Sequence, residues 1–164
     1  MIGYYTRIDG IAAPIAAAKD SEKTACFAFR TGRSPVRITR EGEKFRVVAL
    51  NPDSPLDVYY HPFPARDFAK PATFAEVQLI ATFRARSGEA LFTPGGEFNY
   101  AGTIELESSA DFVHEGRKYN FRDFGSAFTL QASGSSPSPD EIIEQMSKGI
   151  VRLPFTGFAA KAAP

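Results

Sequence analysis

The sequence predicts an all-β protein: an antiparallel β-sandwich of about nine short strands with one short helix near the C-terminus, or, as an alternative, a small closed β-barrel. Three observations carry that expectation. Two long stretches alternate apolar and polar side chains with period two, as a strand with one buried face must. Glycine-centred turns recur between such stretches. A helix signature occurs once, late in the chain, and the absence of strand-helix alternation argues against a doubly wound α/β fold.

From the N-terminus, residues 4–8 read as a first strand, then Ala25, Phe27 and Phe29 mark a second and Val36 with Ile38 a third. Phe45, Val47 and Ala49 alternate with Lys44 and Arg46 as a fourth, and Arg40-Glu41-Gly42-Glu43-Lys44 is the hairpin tip before it. Glycine supplies the positive φ such a tip needs. Residues 56–60 form another strand, set between the proline-rich loops 51–55 and 61–71. In the first long alternating stretch, Val77, Leu79, Ala81, Phe83 and Ala85 share the face predicted to be buried, and Ile80 is the exception on the polar face. Gly95-Gly96 reads as a turn. In the second, Phe98, Tyr100, Ile104 and Leu106 oppose Asn99, Thr103, Glu105 and Glu107, and Gly102 on the apolar side points to a bulge or close packing.

His114-Glu115-Gly116-Arg117-Lys118 repeats the turn chemistry of the first hairpin. Tyr119 and Phe121 alternate with Lys118, Asn120 and Arg122, and Phe128, Leu130 and Ala132 continue the pattern beyond Gly125. Residues 132–137 read as a flexible connector. Ser138, Pro139 and Glu141 then open a helix: a cap, a proline at the first helical position and a capping-box glutamate. Ile142, Ile143 and Met146 give it an apolar stripe, and Lys148-Gly149 a stop. Residues 1–158 are expected to form one β domain and 159–164 a fraying tail.

Composition agrees. Hydrophobic residues at 43% and charged residues at 23% suit a globular chain and argue against disorder. Fifteen Phe and six Tyr with no Trp tilt the 164 residues towards sheet. With 19 basic and 19 acidic side chains the net charge is zero, so no long-range attraction to nucleic acid or anionic lipid is expected. Cys26 is the only cysteine, which excludes an intramolecular disulfide and reads as a small buried hydrophobe. No apolar run approaches roughly 18 residues, so no membrane span is expected. No signal-peptide pattern is visible either. The compartment stays open: periplasm or envelope if a leader was removed, cytoplasm otherwise.

Reactive constellations are scarce. His61, His114 and Cys26 fall short of a four-ligand zinc set, and no metal or cofactor is expected. His114 beside a turn reads as solvated. There is no Gly-x-Ser-x-Gly elbow and no phosphate loop, so no catalytic residue is nominated, and the reading leans away from an enzyme. Glu105 and Glu107 lie two apart on a polar strand face, where solvated charges are the common case. Arg30, Arg33, Arg37 and Arg40 near Phe27 and Phe29 have the mix seen in single-strand binders, but those phenylalanines alternate inward, so no nucleic-acid partner is expected. The remaining candidate is Tyr59-Tyr60-His61-Pro62-Phe63-Pro64. Tyrosine and proline offer rigid contact area, so Tyr59, Tyr60, His61 and Phe63 are the candidate binding residues. The alternative is a loop whose aromatics fold back to plug the core.

Residues 92–106, with Pro94-Gly95, the aromatic Phe98 and Gly102-Thr103-Ile104, resemble a pattern in small bacterial envelope lipoproteins of immunoglobulin-like or transthyretin-like fold. The lipidated cysteine of that family has no counterpart, since Cys26 is internal. The resemblance implies a sandwich fold and an envelope setting and carries over no functional residue. The expected function is therefore a non-enzymatic binding or structural module of a bacterial surface or envelope assembly, with a protein partner. The rival is a β-barrel that binds an apolar small molecule, with or without chemistry on it. No oligomeric state is predicted.

Overall fold

The computed structural model describes residues 1–13, 22–32, 35–42, 44–49, 54–75, 78–148 and 155–161. The described residues form eleven strands and one α-helix: β1 (Ile2–Tyr4), β2 (Phe27–Thr31), β3 (Val36–Glu41), β4 (Lys44–Ala49), β5 (Pro55–Tyr60), β6 (Gln78–Phe92), β7 (Glu97–Ser109), β8 (Phe112–His114), β9 (Arg117–Tyr119), β10 (Ala127–Ser135), α1 (Pro139–Ser147) and β11 (Phe155–Lys161). Nine strands belong to one sheet in the order β1-β2-β5-β6-β7-β10-β11, with β4 joining β6 and β3 joining β4, while β8 and β9 form a separate ribbon. Every pairing with a resolved register is antiparallel. The all-β antiparallel class with one short helix is thus the fold. The strand path has two ends, β1 and β11, where the closed-barrel alternative needs a ring. Among the described residues, no helix is long and apolar enough to cross a membrane.

Two compact units divide the chain. Unit 1 comprises Met1–Arg33, Ser54–Arg84 and Leu106–Ser126, and unit 2 comprises Ser34–Asp53, Ala85–Glu105 and Ala127–Pro164.

Unit 1 holds β1, β2, β5, the first half of β6, the end of β7 from Leu106 and the β8-β9 ribbon. Alternation sets its two faces. Phe27, Leu56, Val58, Tyr60 and Phe83 are buried, and Arg30, Asp57 and Thr82 lie opposite them. The one break in the sequence pattern has a physical cause. Val58 pairs with Ala81 but Tyr59 pairs with Leu79, so Ile80 is the extra residue of a β-bulge. A bulge puts one residue out of phase. Ile80 is accordingly 0% exposed and Leu79 45% exposed, the reverse of the expected assignment. Val77 lies outside the described residues. The ribbon turns through Glu115 and Gly116 at φ 49° and 73°, the pair of positive angles that a type I′ two-residue hairpin has. Two expectations are corrected. The first strand, expected over residues 4–8, covers Ile2–Tyr4 and shares only Tyr4 with that range. The strand through residue 122 stops at Tyr119, because the Asn120 side chain accepts from the Arg122 N–H and caps a 3-10 turn over Phe121–Asp123.

Unit 2 holds β3, β4, the remaining halves of β6 and β7, then β10, α1 and β11. Phe45, Val47, Phe92 and Phe98 form its core, closed by Ile142 of α1. The Phe45 and Phe92 rings stack at 4.4 Å. The predicted capping box is present: the Glu141 N–H donates to Ser138 Oγ at 3.4 Å, and the Ser138 N–H to Glu141 Oε2 at 3.0 Å. Gly102 reflects close packing, since a Cβ there would lie 2.8 Å from the Ser87 carbonyl oxygen. Two expectations are corrected by pairing. Residues 132–135, read as connector, belong to β10 and pair with β7 and β11. Ala159, Ala160 and Lys161, read as a fraying tail, pair with Leu130, Thr129 and Phe128. Backbone hydrogen bonds outweigh the weak side-chain signal of so many small residues.

Candidate binding surface on unit 1

The predicted cluster divides by strand geometry. Tyr59 and Tyr60 are consecutive on β5, so they project from opposite faces. Tyr60 is 6% exposed, with its ring against Phe27 and Phe112. It belongs to the core. His61 follows the strand. Its N–H donates to the Cys26 carbonyl at 2.8 Å, and its Nδ1 accepts the Phe63 N–H at 3.0 Å. Phe63 itself is 82% exposed. The four residues therefore do not form one surface.

Tyr59 belongs to a different group, assembled by register across three strands. Arg30 pairs with Asp57 and Asp57 with Thr82, and one step along, Ala28 pairs with Tyr59 and Tyr59 with Leu79. Side chains opposite one another on an antiparallel pair share a face. Asp57 accepts from both neighbours: Thr82 Oγ1 donates to Oδ1 at 2.8 Å and the Tyr59 hydroxyl to Oδ2 at 3.4 Å. Burial pushes the Tyr59 phenol above its ordinary range, the Asp57 charge and hydrogen bond add to that, and Arg30 opposes it. The phenol thus lies within electrostatic reach of one anion and one cation.

Arg30, Thr31, Gly32, Pro55, Asp57 and Tyr59 line an open depression of about 230 Å³. Two of its residues are joined by the Gly32 N–H donating to the Pro55 carbonyl at 2.9 Å. A side chain at Gly32 would begin 3.0 Å from the Pro55 ring, so this approach favours glycine. Apolar groups continue the row: Leu79 is exposed, and the Tyr4 ring, which precedes Ala28 in the register, lies 6.2 Å from that of half-exposed Phe68.

Sequence reasoning missed two buried polar residues of this unit. His114 is 3% exposed, not solvated. The period-two step from Phe112 to His114 was the available signal. Its Nδ1 lies 3.2 Å from the Tyr60 hydroxyl and its Nε2 2.8 Å from the Ala12 carbonyl oxygen. Arg66 is 1% exposed and donates to the carbonyls of Ala25 and Cys26. Nothing in the Pro64-Ala65-Arg66 stretch announces that.

The other candidates resolve as surface ion pairs. Glu105 pairs with Arg86 at 2.8 Å, Glu107 with Arg84, and Arg40 with Asp140 at 3.6 Å. Arg33 lies outside the described residues. No group of three or more residues able to hold a metal occurs among the described residues. No known protein family matches the chain, and neither does a curated protein or a solved structure.

Proposed function

We propose that this chain is a non-enzymatic binding module that meets its partner through the face of unit 1 around Tyr59. One observation carries the reading: the register of β2 and β5 aligns a guanidinium, a carboxylate and a phenol on a single open depression. These groups stand on strands, and Asp57 is oriented by two hydroxyls of the protein itself. Side chains held in place beforehand lose little freedom on binding, which favours affinity. The engagement of both carboxylate oxygens suits a fixed hydrogen-bond acceptor better than a general base. Leu79, in the cross-strand row of Tyr59, and Phe68, against Tyr4, supply exposed apolar area, and such area beside polar groups is typical of contact surfaces. The resemblance of residues 92–106 to envelope lipoproteins extends the reading to a bacterial surface or envelope assembly.

The test is a two-dimensional amide NMR spectrum of the labelled protein, recorded against panels of short peptides, amino acids and simple saccharides. Shifts confined to the amides of residues 30–32, Asp57 and Tyr59, and lost in a folded Tyr59→Ala variant, support the reading. Shifts centred on the core-facing residues Phe27 and Val58 overturn it, and so does a panel that moves nothing.

A further inference from the structure

We infer that the depression beside Tyr59 accepts a neutral polyhydroxylated ring, a saccharide unit presenting adjacent hydroxyls. The inference rests on the reading of that face as the contact surface. Its first support is charge. The lining carries one guanidinium, from Arg30, and one carboxylate, from Asp57, separated by a single cross-strand step. An anion drawn to Arg30 meets Asp57, and a cation drawn to Asp57 meets Arg30. A hydroxyl donates and accepts at once, so adjacent hydroxyls satisfy both groups without a net charge.

Hydrogen-bonding capacity is the second support. An ionised carboxylate offers about four acceptor positions. Thr82 and Tyr59 occupy one on each oxygen of Asp57, which leaves positions open to donors from outside. The Thr31 hydroxyl in the lining is already engaged by Met1, accepting from its N-terminal nitrogen at 2.7 Å and donating to its carbonyl at 3.5 Å, so the open capacity is that of Asp57.

Shape is the third. At about 230 Å³ the depression is smaller than the roughly 300–1,000 Å³ of pockets that enclose drug-sized ligands. One ring or the end of a chain fits it. Pro55 and Tyr59 also line it and can offer apolar contact to the C–H groups of a sugar. A tyrosine offers an apolar body with a polar tip. A zwitterionic amino acid matches the two charges but depends on ion pairs open to solvent, which contribute little.

Amide NMR titration distinguishes these ligands. The probes are a set of neutral methyl pyranosides, glycine, sodium acetate and an uncharged tripeptide. At least one methyl pyranoside is expected to shift Arg30, Asp57 and Tyr59 saturably. Arg30→Ala and Tyr59→Ala, each checked for a native-like spectrum, are expected to raise its Kd by about tenfold or more. If glycine, acetate or the tripeptide shifts these residues and no pyranoside does, the saccharide inference falls and the site stands. If no probe shifts them, both fall. A pyranoside response unchanged in both variants overturns the assignment of the ring to this depression.

Discussion

The Tyr60 hydroxyl lies 3.2 Å from His114 Nδ1, beside the rings of Phe27 and Phe112. Nε2 of the same imidazole lies 2.8 and 3.1 Å from the carbonyl oxygens of Ala12 and Ala13. Carbonyls only accept, so Nε2 carries a proton, and in the neutral imidazole Nδ1 accepts from Tyr60. Tyr60→Phe then strands a buried acceptor and is expected to cost about 1–3 kcal/mol. Tyr59→Phe removes a half-buried hydroxyl from the opposite face, and its expected loss is under about 1 kcal/mol. Urea denaturation of the two variants measures the difference, and equal losses would contradict the core assignment of Tyr60.

The β-bulge gives a second test, because it reverses what the pattern predicts. Ile80→Ala empties a fully buried position and is expected to cost about 2–4 kcal/mol. Leu79→Ala trims a side chain that is already half in solvent and is expected to change stability by less than about 1 kcal/mol. The sequence reading orders these two the other way, so thermal or urea melts decide between them.

That reversal shows where the sequence was legible. Period-two alternation located β4, β6, β7 and β10, because each has one apolar face, and the helix was legible through its cap residues. Alternation counts residues and does not see an insertion, so Ile80 was misplaced by one step. It also assigns nothing to strands of small residues, and Ala159–Lys161 joined β11 through backbone bonds alone. Of the candidate site, Tyr59 was legible as an aromatic on a strand end. Asp57, two positions away on β5, shares its face by the same alternation, but Arg30 and Thr82 lie 29 and 23 positions away and join the group only through the sheet register, which no local pattern encodes.

Cys26 should be inert while the protein is folded. Burial pushes its thiol up, Arg66 opposes the shift and Glu115 adds to it. A raised thiol favours its protonated form, so its stabilising contribution is intact below the ordinary thiol range and fades as pH climbs through the raised value. Labelling with a thiol-specific disulfide reagent at pH 8 is expected to follow global unfolding. Arg66→Lys keeps the charge but gives up the two-pronged contact with the Ala25 and Cys26 carbonyls. That variant should lose about 1–3 kcal/mol and label faster. Rapid labelling of the folded wild type would show that the thiol is not enclosed.

Asp111 supplies a pH test on the β8-β9 ribbon. The Asn120 amide donates to it at 2.8 Å and Lys118 pairs with it at 2.7 Å, and both hold its carboxyl below the ordinary aspartate value. Asp111 in turn raises Lys118 above the ordinary lysine value. For the carboxylate, the stabilising contribution is present above its ordinary value and is lost as pH falls through the depressed one. For the ammonium, it is present below the ordinary lysine value and lost as pH rises past the raised one. Carboxyl-carbon NMR is expected to show Asp111 titrating low, and Asn120→Ala is expected to move it up, since that amide is the larger cause. An unchanged titration in the variant contradicts the assignment.

In unit 2, the Tyr100 ring covers two glycines, and the two should respond differently to a methyl group. A Cβ at Gly88 would lie 2.8 Å from the Tyr100 hydroxyl oxygen and 3.4 Å from two ring carbons, all toward the far end of a side chain that can swing. A Cβ at Gly102 would lie 2.6 Å from the same hydroxyl oxygen and 2.8 Å from the Ser87 carbonyl oxygen. That carbonyl is backbone within β6, so relief there requires the strand to move. Gly102→Ala is therefore expected to cost about 1–3 kcal/mol, in the range of overpacking, and Gly88→Ala less. Tyr100→Ala in the same chain removes the only close contact at Gly88 and one of two at Gly102. In a double-mutant cycle the Gly88 penalty should largely vanish on that background, while a substantial part of the Gly102 penalty persists. Complete rescue of both by Tyr100→Ala would show that the Ser87 backbone yields freely and that β6 and β7 pack less tightly than the structure has them.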